Sequence, residues 1–301
     1  MRSYRRRAAL SIVGSIVVAV ALGIVLSGRR QQFTTAIHSA PLLTLLLVAA
    51  LQTFALLARS EAWHVCVRAA GGTVTRRILF RAAGVGYLAS VLNGSLGLAA
   101  RIACLRRVAP SSSPRVPALL LAEVPIIAVE ITLAGVFSFT LISPLGLPWW
   151  VPLIAIAATV AILVTLKRVS ERNQTGFWGG LGVMRHGRHR MILFVLLAVC
   201  AQIARNWLAL HALGVNVSIT DATALLIAMF TIGQLPIGPS LGAAATVVVL
   251  GAHGIAATAA AGVILTATGI VGSLSYAGWA IADRAVAGRQ RAELEPAPAQ
   301  A

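Results

Sequence analysis

The sequence predicts an all-α integral membrane protein: six full transmembrane helices plus two re-entrant broken helical hairpins in an inverted-topology repeat. Three observations predict it. The chain of 301 residues is 58% hydrophobic and only 11% charged, with a mean hydropathy of +0.87, values that belong to polytopic membrane chains. Charge-free runs at 8–28, 40–58, 131–166 and 222–282 are each long enough for a hydrocarbon core, which takes about 20 helical residues. Finally, two apolar segments, Tyr87–Gly97 and Ile232–Gly242, are broken at their centres by glycine, proline and amide residues. A helix broken at membrane depth needs protein or cavity water to satisfy the freed backbone groups. Matched breaks in two halves of a chain point to a transport site.

The elements follow in order. Met1-Arg-Ser-Tyr-Arg-Arg-Arg7 precedes an apolar run too long for a signal-peptide core, and no small-residue cleavage site follows, so 8–28 reads as the first span. Further full spans are expected at 38–58, 116–142, 149–166, 191–213 and 256–282. The broken segments, 80–100 and 222–251, dip in and return. Residues 1–283 form one transmembrane domain, with repeat halves 8–142 and 149–282. The polar, Pro/Ala-rich stretch 284–301 is expected to be a disordered cytoplasmic tail.

Charge sets the threading. Of the 25 Lys and Arg residues, this topology leaves only Arg29 and Arg30 outside and Arg205 within a span; the rest lie on the cytoplasmic side with both termini. If 80–100 crossed fully, Arg101, Arg106, Arg107, Arg115 and the basic run 167–190 would move outside. The charge-free stretch 222–282 has 61 residues. Three crossings would need about 60 with none left for turns, whereas one crossing plus a hairpin fits. The halves also share local sequence: Ala58-Arg59-Ser-Glu-Ala-Trp63 matches Ala204-Arg205-Asn-Trp207, and Gly71 falls on Gly214.

The net charge of +17 is placed in short loops, where it orients spans and meets anionic lipid; no nucleic-acid partner is expected. Cys66, Cys104 and Cys200 are isolated, which argues against a disulfide framework or a zinc site. His186 and His189 stand among arginines that would repel a metal cation. No Walker A loop, HExxH or Ser/His/Asp set is present, so neither enzyme chemistry nor a cofactor is expected.

Candidate site residues are polar groups at membrane depth, where an ionisable side chain faces a cavity or a partner. Glu123 and Glu130 are two turns apart and share a helix face. Arg205 lies mid-span with Gln202 and Asn206 beside it, placed to clamp phosphate or to pair internally with Glu130. Asn93, Gln234, Pro236 and Ser240 mark the breaks, where half-helix N-termini would offer N–H groups to an anion. Arg101, with Arg106 and Arg107, reads as a headgroup-facing patch.

Several motifs carry a family likeness. They are Arg59-x-x-x-Trp63, then Tyr87 with Asn93 and a downstream Arg, Ala-Glu123 through Glu130, and Leu235-Pro236-Ile-Gly-Pro239-Ser-Leu-Gly242. Over residues 8–283 the chain resembles the lysylphosphatidylglycerol synthase transmembrane (flippase-like domain) family. Gly97-Leu-Ala-Ala-Arg101 stands where the family carries a proline and a Gly-Glu pair, and Ala243-Ala-Ala-Thr246 where it carries an acid. The resemblance implies a stand-alone member without the soluble aminoacyl-transfer domain. It also implies transbilayer movement of an anionic or phosphate-bearing lipid in the cell membrane, with membrane lipids as partners. Two alternatives stay open: an accessory subunit or transferase in lipid-linked glycan or lipid modification, and a small-solute transporter.

Overall fold

Leucine-, valine- and alanine-rich runs satisfy their backbone internally as helix and turn apolar side chains outward. The computed structural model describes residues 31, 34–35, 38, 40–91, 94–172, 176–184, 187–233, 241–251 and 254–294. At 94, 95, 176, 232, 233, 241–244 and 288–294 it describes the backbone alone. Among the described residues every regular element is helical, and five helices are long and apolar enough to cross a membrane. They are α1 (Leu42–Ala69), the interrupted series Val116–Leu145, α7 (Trp150–Arg172), α8 (Arg188–Ala212) and α11 (Ile255–Leu294, its candidate span Ile255–Ala287). These coincide with five of the six predicted full spans. The remaining one, 8–28, lies outside the described residues.

Between them lie short helices in pairs: α2 (Arg76–Ser90) with α3 (Gly94–Val108), and α9 (Ile219–Gly233) with α10 (Leu241–Leu250). A 15-residue helix is about 22 Å long and α10 about 15 Å, short of a hydrocarbon core of about 30 Å. α2 and α3 fold back on each other through glycine. A Cβ on Gly97 would stand 2.6 Å from Ser90 Cβ and 2.8 Å from the Gly86 carbonyl oxygen, so only glycine permits this backbone approach.

The series Val116–Leu145 is not one rod. Pro125 lacks an amide donor, and the helix divides into α4 (Val116–Leu121) and α5 (Val124–Phe137), with Glu123 in the joint. It ends in a 3₁₀ turn (Ser138–Leu141) and α6 (Ile142–Leu145).

The shift that lays Gly71 on Gly214 relates much of the interior. Both glycines have positive φ, +88° and +72°, and both close a helix with the same six-to-one bond. Gly72 N–H donates to the Val67 carbonyl at 3.0 Å, and Val215 N–H to the Leu210 carbonyl at 3.1 Å. These are matching Schellman caps. The same shift lays Ala55 and Ala58 of α1 on Ala198 and Ala201 of α8, and these four residues form one small cluster where the two helices cross. It also lays Val48 on Met191. Val48, at the start of α1, packs into the cluster around α9, α10 and the end of α8. Met191, at the start of α8, packs into the cluster around α2, α3 and the end of α1. The two helices therefore run antiparallel, and each lends its first turns to the other's lobe.

Two expectations are corrected. The helix of α11 continues to Leu294, so the stretch from 284 begins as helix rather than as a disordered tail; 295–301 lie outside the described residues. The basic run 167–190 is more than a short loop. Gly176–Met184 forms a 3₁₀ element whose Leu181 and Val183 are fully buried against the α1–α4 side, because these apolar side chains have a seat there.

Candidate functional site

Polar side chains inside this apolar body gather in two places. The first is built from the end of α1. Arg59 and Trp63, one turn apart, share a face. Arg59 Nη1 donates to Glu130 Oε1 of α5 at 2.5 Å. Arg101 of α3 pairs with Glu123 in the α4–α5 joint, and its guanidinium carbon stands 4.1 Å from the Trp63 ring centroid, a cation–π contact. The division of the helix at Pro125 places Glu123 toward α3. Ser60, Tyr87 and Tyr276 tie α1, α2 and α11 together: Tyr276 Oη donates to Ser60 Oγ at 3.1 Å, and Tyr87 Oη donates to the Leu56 carbonyl at 3.2 Å. The two rings meet edge to face.

The two ion pairs differ in access. The Arg101 and Glu123 side chains are 8% and 6% exposed, and Glu130 is 10% exposed, but Arg59 is 34% exposed. Two guanidinium groups and two carboxylates make this site neutral, as burial demands. Among the described residues it is not fully satisfied: Glu130 Oε2, Arg101 Nε and Trp63 Nε1 are buried with no hydrogen-bond partner.

The second site lies where α1, α8 and α11 meet. Arg205 Nη1 donates to Gln202 Oε1 at 3.0 Å, and Gln202 Nε2 donates to Gln52 Oε1 at 3.1 Å. Arg205 Nη2 donates to the Leu265 carbonyl and to Thr268 Oγ1. Gly272 lets α11 approach, since a Cβ there would stand 2.6 Å from Gln52 Cγ. Leu265, Thr268, Gly272 and Tyr276 form one stripe of α11 that joins the two sites. Arg205 is 6% exposed and Asn206 1%. Among the described residues, Arg205 Nε and both amide atoms of Asn206 have no hydrogen-bond partner, and no carboxylate forms an ion pair with Arg205.

One end of the molecule is strongly charged. Glu61, 2% exposed, meets Arg76 at 2.7 Å, His64 at 3.5 Å and Arg190 at 3.7 Å. Next to Arg76, Arg77 and Arg81 both clasp Asp283. The starts of α2 and α8 and the end of the apolar part of α11 therefore lie at one end. Gln52 lies about 14 Å before Glu61 along α1, away from the charged end, so Arg205 is deep and Arg59 lies nearer the charged end.

The residues named from sequence fare differently. Asn93, Gln234, Pro236 and Ser240 lie outside the described residues. Gln202 and Arg205 are joined as their spacing predicts, with Asn206 buried beside them. Glu130 does not pair with Arg205. It pairs with Arg59, because the end of α1, not the Arg205 level of α8, meets α5 at Glu130. Arg101 is no headgroup-facing residue; the Gly86–Gly97 contact presses α3 onto α2 and turns Arg101 inward to Glu123 and Trp63. Gln52, Ser60, Glu61, Thr268, Tyr276 and Asp283 were not singled out from sequence. A glutamine in the charge-free run 40–58 and a tyrosine in 222–282 were the available signals. Comparison with protein-family models, curated proteins and solved structures gave no match to the chain.

Proposed function

We propose that this multi-pass membrane protein moves an anionic or phosphate-bearing lipid between leaflets of the cell membrane, as its resemblance to the flippase-like family implies. The observation that carries this reading is Arg205. Its guanidinium is 6% exposed, lies deep in a helix of spanning length, and has no acidic partner among the described residues. A buried cation at membrane depth is costly unless an anion joins it. The free Nε and the unpartnered Asn206 amide are donors of the kind that bind phosphate oxygens.

The half-length pairs α2–α3 and α9–α10 support re-entrant hairpins, which return to the side they left. The repeated caps and the reciprocal packing of α1 and α8 support an inverted repeat, whose halves exchange roles in alternating access. The end bearing Glu61, Arg76, Arg77, Arg81, Arg190 and Asp283 is then cytoplasmic, as are both termini.

The test is leaflet translocation in liposomes carrying the purified protein, with labelled anionic and zwitterionic lipids compared. The reading expects anionic lipids to move and Arg205→Ala to stop them while the protein still elutes as a single species. Equal movement of both lipid classes, or undiminished movement in Arg205→Ala, defeats it. Uptake of a soluble labelled anion without lipid movement would instead assign a solute transporter. Lipid-modifying turnover in detergent, with no bilayer present, would assign a transferase.

A further inference from the structure

We propose that transport is coupled to protons through the Arg59–Glu130 pair, one proton being taken up for each anion bound; this rests on the anion-moving reading above. The pair is the reachable one. Arg59 is 34% exposed while its partner carboxylate is 10% exposed, whereas Arg101–Glu123 is closed on both sides and capped by Trp63. Arg59 also lies between the charged end and Arg205, on the way an anion would take.

The exchange follows from counting partners. Glu130 Oε1 accepts from Arg59 at 2.5 Å, and Oε2 is buried with no hydrogen-bond partner among the described residues. Arg59, from α1, is the one cation paired with Glu130 among the described residues. Of the titratable groups nearby, Tyr87 of α2 bonds the Leu56 carbonyl and Arg101 of α3 is held by Glu123. Among the described residues, the helices α7, α8 and α9, which also pack against α5, bring no ion-pair partner to it. An anion whose oxygens take the Arg59 guanidinium therefore leaves Glu130 as a buried carboxylate without a cation. Such a group stays in place by becoming neutral. A proton binds a Glu130 carboxylate oxygen as the anion binds, and it leaves when the anion departs and Arg59 returns. The loaded state holds one more proton than the empty state, so anion binding strengthens as pH falls, by at most about tenfold per pH unit.

The chemistry recognised is a phosphate-type oxyanion, which a lipid headgroup or a free ion can supply. The test therefore has two arms with the full-length protein in liposomes: fluorescent phosphatidylglycerol scored for leaflet exchange, and labelled inorganic phosphate scored for uptake. Initial rates at sub-saturating probe are followed over about two pH units, with equal pH inside and out. Wild type is expected to speed up as pH falls in one arm, which names the source of the anion. Glu130→Gln should move the probe with a flat pH profile, and Glu130→Asp should keep a slope, displaced along the pH axis. If Glu130→Gln does not elute as folded protein, the wild-type slope and its displacement in Glu130→Asp decide. A flat wild-type profile, or a slope that survives in Glu130→Gln, overturns the coupling and leaves the transport reading standing. No movement of either probe at any pH overturns both.

Discussion

The two lobes hold their buried arginines in opposite ways. In the first, Arg59 and Arg101 each meet a glutamate, and the site is neutral. In the second, Arg205 meets a glutamine, a carbonyl and a hydroxyl, and among the described residues the charge stays uncompensated. The shift that matches the caps lays Arg205 on Ala62 and Arg59 on Gln202, so the related lobes carry their cations at different positions. Neutral pairing stabilises only if both members stay. An unpaired cation costs stability until an anion arrives. The first lobe therefore holds its cations in pairs, and the second leaves a cation without an acid among the described residues.

The sharpest way to break this contrast is to remove one arginine from each lobe. Arg101→Ala strands Glu123 and should cost about 3–5 kcal/mol, read as a loss of folded protein on thermal unfolding in detergent. Arg205→Ala strands no carboxylate, and its neutral partners should cost at most about 1–3 kcal/mol, while anionic lipid movement is lost. If the two variants lose equal stability, the distinction fails. A double variant, Arg101→Met with Glu123→Leu, should recover most of the loss, because replacing both members leaves no uncompensated charge.

A smaller effect is expected at the hairpin that delivers Arg101. Gly97→Ala forces a Cβ to 2.6 Å from Ser90 Cβ. It should cost about 1–3 kcal/mol through overpacking, and Ser90→Gly should return part of it. Full stability in Gly97→Ala would show that α3 can withdraw from α2.

The caps should fail equally. Gly71 and Gly214 have positive φ and open space where a Cβ would go, so Gly71→Ala and Gly214→Ala should each cost about 1 kcal/mol from backbone strain alone. Unequal losses would mean that the lobes share a motif without sharing its load. The last prediction concerns orientation and carries no stability change: a single cysteine at Ser111 should resist labelling from outside intact cells. Efficient labelling there would break the assignment of the charged end to the cytoplasm.

Much of the fold could be read from the chain because membrane helices are encoded locally. Apolar length gave the spans from 38 to 282, and the glycine pair 71 and 214 gave the matching stops. Polar residues in apolar runs marked Glu123, Glu130, Gln202 and Arg205. The spacing of Arg205 and Gln202, within one helix turn, was enough to join them. It was not enough to join Glu130 to anything, since its partner depended on which side chain of the helices packed on α5 would stand at its level.

By itself, then, the sequence determined the helices, their apolar faces, the two half-length pairs and the fact that several charges must be buried. Tertiary structure decided who neutralises whom. Glu130 went to Arg59, Glu123 went to Arg101, and Arg205 was left to Gln202, Thr268 and the Leu265 carbonyl. The reason is physical. Helix formation and membrane partition depend on contiguous residues, whereas a buried ion pair depends on a few ångströms between separate helices, set here by a glycine contact and a proline-divided span.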